Sequence, residues 1–142
     1  MAYSTKLSDA LHLLVFVAIE PDSDLSSAAI AKSLAANPSS VRQLMGRLHR
    51  AGLITSVTGH ARPRLARPAE EISMLDVYRA VEGIKPLLHL DTHTNPACGV
   101  GMNAQFIIGE SFAEVQHAAE CAMAGISLGH IIERYQERVG HD

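Results

Sequence analysis

Apolar residues recur at Leu7, Leu11, Leu14 and Ala18, with Ala10, Val15 and Val17 widening the stripe, and this helical period predicts a buried first helix over residues 4–20. Pro21 and the Asp22-Ser23-Asp24 segment end it. Ser26 or Ser27 can accept a hydrogen bond from an early backbone N–H, and so cap a second helix running to Leu34 with Ala28, Ala29, Ile30 and Ala31 packed inside. Asn37-Pro38 makes a turn, Ser39 caps a third helix over 40–51, and Gly52 stops it. Two short helices joined by a few residues predict a helix-turn-helix.

The period then changes. Leu53 to Val57 is rich in β-branched residues, and Leu65-Ala66-Arg67 can return beside it after a loop over 58–64, which predicts a two-stranded wing tipped by Arg62-Pro63-Arg64. Residues 72–81 form a fourth helix capped by Ser73, and Gly83 ends it. A polar, proline-bearing connection leads to Cys98. Beyond it, within a long helix expected over 103–123, Ile108, Phe112, Val115, Ala119, Ala122 and Ile126 alternate at spacings of four and three. This is a heptad seam, to be covered either by a twin helix from a second copy or by packing back on the same chain. Ser127 restarts a final helix through Ile131, Ile132 and Tyr135, which can tuck onto the preceding domain. The expected fold is mainly α: a winged helix-turn-helix domain at 1–83, a connecting or sensor loop at 84–102, and a dimerisation helix with a C-terminal helix at 103–142.

On the third helix, Val41, Leu44, Met45, Leu48 and Ala51 share one face, while Ser39, Gln43, Gly46, Arg47 and Arg50 share the other. Charge sharpens this division. Between Asp24 and Glu70 there is no acidic residue, yet Lys32, Arg42, Arg47, Arg50, Arg62, Arg64 and Arg67 all lie there, a local charge of +7 inside a chain of formal net charge −3. A solvated helix face ordinarily mixes both signs, so an uncompensated cationic face fits a polyanion, whose condensed counterions are released on binding. Scarce aromatics and the absence of Trp argue against base-stacking on single strands and favour double-stranded DNA. Ser39, Ser40, Arg42, Gln43, Arg47 and Arg50 are the candidate major-groove residues, with Gln43 and Arg47 the leading candidates for base edges. Thr58, Arg62 and Arg64 are candidates for phosphates or an adjacent minor groove.

With 142 residues, about half of them apolar, the chain can bury one ordinary core plus a dimerisation element. Its longest apolar run, Leu13 to Ile19, is far short of the ~20 residues a membrane span needs, and the expected location is the cytoplasm, with no membrane partner. Two cysteines, Cys98 and Cys121, are too few for a disulfide framework. Cys98 precedes the long helix, where the positive helix end favours an anionic sulfur, and oxidation there would alter packing at a hinge; it is either a redox-sensing residue or a small space-filling one. Glu110, Glu114, His117 and Cys121 lie on one flank of the long helix, at a spacing that serves either a solvated face or a metal. No Gly-rich nucleotide loop, catalytic triad spacing or apolar carboxylate pair is present, so an enzyme is not expected. A winged fold that binds protein rather than DNA remains the alternative class.

The segments Asn37-Pro38-Ser39-Ser40-Val41-Arg42, Ala51-Gly52-Leu53-Ile54, Leu65-Ala66-Arg67-Pro68-Ala69-Glu70-Glu71-Ile72 and Leu75-Asp76-Val77-Tyr78-Arg79-Ala80-Val81-Glu82-Gly83, taken in order with Ala10-Leu11-His12, resemble the Rrf-two family of bacterial winged-helix regulators. The resemblance covers nearly the whole chain. It implies a homodimeric transcriptional regulator, most simply a repressor, on an imperfect palindromic operator. Two departures stand out: Ala61-Arg62 replaces a wing Gly-Gly pair, and Cys98 is alone where cluster-binding members carry three cysteines. Asn95-Pro96-Ala97-Cys98-Gly99-Val100-Gly101 is instead similar to the family's YwnA-like branch, which implies no resident cofactor. The alternative the family leaves is an iron-sulfur cluster held in a dimer by His12, Cys98 and a nearby carboxylate.

Overall fold

Capping chemistry sets the ends of the first three helices. The computed structural model describes residues 3–57 and 60–140. Helix α1 spans Lys6–Ile19, α2 Ser27–Leu34 and α3 Pro38–Arg50. Ser26 Oγ accepts from Ala29 N at 3.2 Å and so satisfies an orphan donor at the start of α2. Asp24 Oδ1 accepts in turn from Ser26 N at 2.9 Å, and this bond holds the Asp24 carboxyl below the usual carboxylate range. At α3 the cap is Asn37, whose Oδ1 accepts from Ser39 N at 2.7 Å, rather than Ser39 itself. Pro38 enters the first turn because it has no N–H to leave unsatisfied and its φ is already helical. The turn between α2 and α3 passes through Ala35 at φ 52°, a left-handed conformation for a residue with a Cβ.

After Gly52, at φ 74°, strands β1 (Ile54–Val57) and β2 (His60–Leu65) pair antiparallel. Here the wing differs from expectation. Arg62-Pro63-Arg64 lies within β2, not at a loop tip, with Arg64 opposite Thr55. Proline is tolerated because a two-stranded ribbon is all edge, and the register shifts between Thr55 and Val57. Pro63 is buried while Arg62 and Arg64, two residues apart on the other face, are exposed.

A 3₁₀ turn at Ala69–Glu71 leads to α4 (Met74–Glu82), started by a reciprocal capping box: Ser73 Oγ accepts from Asp76 N and Asp76 Oδ2 from Ser73 N, each at 3.0 Å. Gly83, at φ 66°, ends it. Helix α5 is longer than its periodic core predicts, Gly99–Ala124, and α6 spans Leu128–Gly140. The core joins Leu13, Leu14 and Val17 of α1 to Ile30, Val41, Leu48, Leu53, Ile72, Val77 and Val81. Leu128, 1% exposed, completes it, so α6 packs on α1 and the 3₁₀ turn.

The α5–α6 turn is clasped to the start of α4: Met74 N donates to Ile126 O and Leu128 N to Ile72 O, both at 2.7 Å, flanking a Ser73–Ser127 bridge. Ile126, expected on the heptad seam, therefore lies beyond the end of α5 in this clasp, because Gly125 has already ended the helix.

Candidate nucleic-acid interface

Helix α3 is held by Val41, Leu44 and Leu48 in the core, and α2 packs beside it in the helix-turn-helix arrangement. Its accessible face is centred on Gly46. Ser39, Arg42, Gln43, His49 and Arg50 are exposed around that glycine, and Ser40 is exposed at the margin. The face is rotated by roughly 40° from the sequence expectation, toward Arg42, as successive residues advance by the 3.6-residue turn.

The reason lies with Arg47. Its side chain is half-buried and Nη1 donates to Val81 O of α4 at 3.1 Å, so the guanidinium turns to the protein rather than outward with Gln43. Val81 O is one of the last carbonyls of α4, which the helix itself leaves without a partner, and a cation there also meets the negative helix end. Arg47 thus moves from the outward face to the α3–α4 junction, which leaves Arg42 and Gln43 as exposed groups near the N-terminal end of that face. His49 was missed by sequence reasoning. A histidine adds nothing to the formal charge tally, but its helical position two turns beyond Arg42 was available.

Arg62 and Arg64 share the outer face of the wing, and Arg64 stands near its base, lining a groove with Pro21, Glu70 and Glu133. Thr58 lies outside the described residues. Arg67 is paired with Asp76 at 3.5 Å. Among the described residues no carboxylate pairs with Lys32, Arg42, Arg50, Arg62 or Arg64.

Helix α5 buries fully only Met123. The expected seam splits in two: Phe112 and Ala119 are half-buried on the side toward α4, whereas Ile108, Val115 and Ala122 are exposed. Ile107 and Phe106, outside the expected seam, are 59% and 67% exposed. The outward apolar stripe is Val100, Ala104, Ile107, Ile108, Val115, Ala118 and Ala122, interrupted by Ser111 and shifted toward Ile107 because the polar Gln105, Gln116 and Glu120 side chains take the inner side.

Cys98 is the N-cap of α5 and is exposed, with Sγ accepting from Gly101 N at 3.4 Å. His12 is also exposed, and its Nε2 meets Ser33 Oγ at 3.1 Å. His117 Nε2 and Cys121 Sγ are 3.6 Å apart on α5. Among the described residues no group of three or more His, Cys, Asp or Glu side chains is placed to hold a metal ion.

A reader helix with a basic, carboxylate-free face, a two-stranded wing and a long projecting helix define a winged helix-turn-helix regulator. Residues 3–134 match the Rrf2 (Rrf-two) family, described as iron-dependent transcriptional regulators, and the chain belongs to that family. Its class is a transcriptional regulator and not an enzyme. It is 34% identical over 129 residues to YwnA of Bacillus subtilis (strain 168), named as an HTH-type transcriptional regulator, covering 91% of this chain and 96% of that one. A crystal structure described as a DNA-binding protein superposes with a TM-score of 0.73 at 32% identity, over 89% of this chain and 98% of the other. Staphylococcus aureus CymR, solved also in an oxidized form, gives 0.63 at 28% identity over 92% and 97%. The family description names iron, but a lone cysteine in the connection and no assembled donor group do not fit a metal or cluster within the described chain. No helix of the described residues is long and apolar enough to cross a membrane.

Proposed function

We propose that this protein is a cytoplasmic, homodimeric repressor that places α3 of each subunit in successive major grooves of an imperfect palindromic operator, with the wings alongside. The observation that carries the reading is the exposed face of α3, where Arg42, Gln43, His49 and Arg50 surround Gly46 without a carboxylate in the surrounding 45 residues. Arg42 and Gln43 sit near the N-terminal end of the helix and are assigned to base edges. Ser39, Ser40, Arg50, Thr58, Arg62 and Arg64 are assigned to the backbone or minor groove. The exposed stripe on α5 joins the two copies, as an unpartnered apolar face needs a cover.

Cys98 is the proposed redox-sensing residue. Its sulfur accepts a backbone hydrogen bond as the α5 cap, and oxygenation or a mixed disulfide would disturb that bond at the connection between reader and dimerisation helix. An oxidized form of the relative CymR has been crystallised.

Duplexes selected by the wild-type protein from a randomised pool test the reading. Binding should weaken as salt rises; Arg42→Ala should cost about 1–3 kcal/mol and relax sequence choice, whereas Arg50→Ala, at a backbone position, should lower the magnitude of the log–log slope by about 0.9 per subunit. A protein that selects no duplex at low salt defeats the DNA-binding assignment and favours a protein-binding module. Cys98→Ser should bind the selected duplex normally but ignore peroxide; an unchanged peroxide response removes the sensor role.

A further inference from the structure

Helix α5 is tied to α4 and the connection after it by several directed polar contacts beside the buried Met123. Gln116, on its inner side, is bonded at both ends: Oε1 accepts from Leu87 N at 2.9 Å, and Nε2 donates to Tyr78 Oη at 3.2 Å. The Tyr78 hydroxyl donates onward to Lys85 O at 2.8 Å, so one glutamine ties α5, α4 and the connection after α4 together. Arg79, the next residue of α4, reaches Glu120 of α5 at 3.2 Å. Around these groups is a cleft of about 400 Å³, lined also by Ile84 and Pro86.

One turn after Tyr78 comes Val81, whose carbonyl receives the Arg47 guanidinium from α3. The ring of Tyr78 is buried, and Val77 and Val81 beside it are core residues, so the last turn of α4 is a rigid piece between the two sets of ties. The hydrogen bonds thus run from α5 through one rigid turn of α4 to Arg47, on the end of α3 that carries His49 and Arg50. Chains of hydrogen bonds on rigid elements are the kind of contiguous network that carries coupling between sites.

We propose that Arg47 is a positioning residue, not a DNA contact, and that Gln116–Tyr78–Val81–Arg47 transmits the placement of α5 to the reader helix. This rests on the DNA-binding reading above and specifies how the same interface is regulated from the far helix. It assigns to Gln116, remote from the basic face, an effect on operator affinity.

The test uses full-length protein and a duplex selected by the wild type from a randomised pool. Arg47→Met should weaken that duplex about fivefold or more, within the range of coupling between linked sites, while leaving the salt slope unchanged. Arg47→Lys, which keeps a donor toward Val81 O, should recover most of the affinity. Gln116→Leu should also weaken binding, and the double variant should bind no worse than the weaker single variant, because both break one path. Thermal unfolding of each variant separates this from loss of fold: the effects on stability should add where those on affinity do not.

A drop of about 0.9 per subunit in the salt slope with Arg47→Met makes Arg47 a phosphate contact and overturns the proposal. So does wild-type affinity in Gln116→Leu, or additive losses in the double variant. If the wild type itself selects no duplex, the DNA-binding reading fails first, and that outcome is distinct from a wild type that binds while Gln116 and Arg47 act independently.

Discussion

Gly129→Ala perturbs the tightest approach between α6 and the rest of the fold. A Cβ at Gly129 would sit 3.0 Å from Glu70 Cγ, 3.1 Å from Glu70 N and 3.2 Å from Glu70 Cα. The Cγ can swing aside, but the backbone atoms cannot without moving the 3₁₀ turn or lifting α6. Either motion strains the Leu128 N to Ile72 O bond and the burial of Leu128. Overpacking of this kind costs about 1–3 kcal/mol. The gain from replacing a helical glycine by alanine is at most ~1 kcal/mol, and less in a first turn. The expected net effect is therefore a destabilisation of up to about 2 kcal/mol.

Gly109→Ala is the control with the opposite sign. Within 4 Å its Cβ meets only Leu90 Cδ2, at 3.4 Å, the movable end of a side chain, so the interior of α5 should gain about 0.5–1 kcal/mol. Urea unfolding followed by helical circular dichroism, at one fixed protein concentration, reads both changes from the midpoints. The two variants should separate by roughly 1 M in urea at the slope usual for small proteins. A Gly129→Ala protein stabilised as much as Gly109→Ala would refute the close-packed placement of α6 on Glu70.

Three further outcomes are expected. Ala35→Gly should stabilise the fold by roughly 0.5–1 kcal/mol in the same urea assay, because relief of a left-handed Cβ outweighs the added freedom of the unfolded chain. Ser73→Ala should cost about 1 kcal/mol by breaking the capping box of α4, and thermal unfolding would show no loss if the box were incidental. On the proposed dimer, Val115→Glu places a charge in the exposed stripe of α5 and should reduce the sedimenting mass from that of a dimer to that of a monomer, whereas a dimeric variant would rule out this stripe as the joining surface.

The elements were legible where local chemistry decides them. Apolar periodicity located α1, Ser73 marked the start of α4, the α2 cap read as Ser26 or Ser27 is Ser26, and Gly52 and Gly83 marked stops at the positive φ values that favour glycine. The reader helix was visible through its charge as much as its period. What stayed hidden depended on partners remote in sequence. The rotation of the α3 face follows from Arg47 meeting Val81, 34 residues away, and no window on α3 contains that carbonyl. The wing was misplaced because proline and two arginines read as a loop, while pairing to β1 and burial of Pro63 make them a strand. The seam on α5 ended one turn late in the sequence reading, since the clasp at Ile126 depends on residues at the start of α4. Gln116 gave no signal at all: one polar residue among several in an amphipathic helix is unremarkable until both ends of its amide are seen bonded.

The clasp between Ile126, Ser127 and the start of α4 anchors the C-terminal end of α5, and Glu120, Gln116 and Gln105 tether the helix further along its length. Its C-terminal root is fastened by two backbone bonds and the buried Met123, while the opposite end carries the exposed Val100, Met102 and Phe106. A helix of 26 residues is about 39 Å long, so tilting it by about 5° at the root sweeps the Cys98 end through about 3 Å. On the sensor role proposed for Cys98, a displacement of that size at the tip would be felt at the anchored end beside α4.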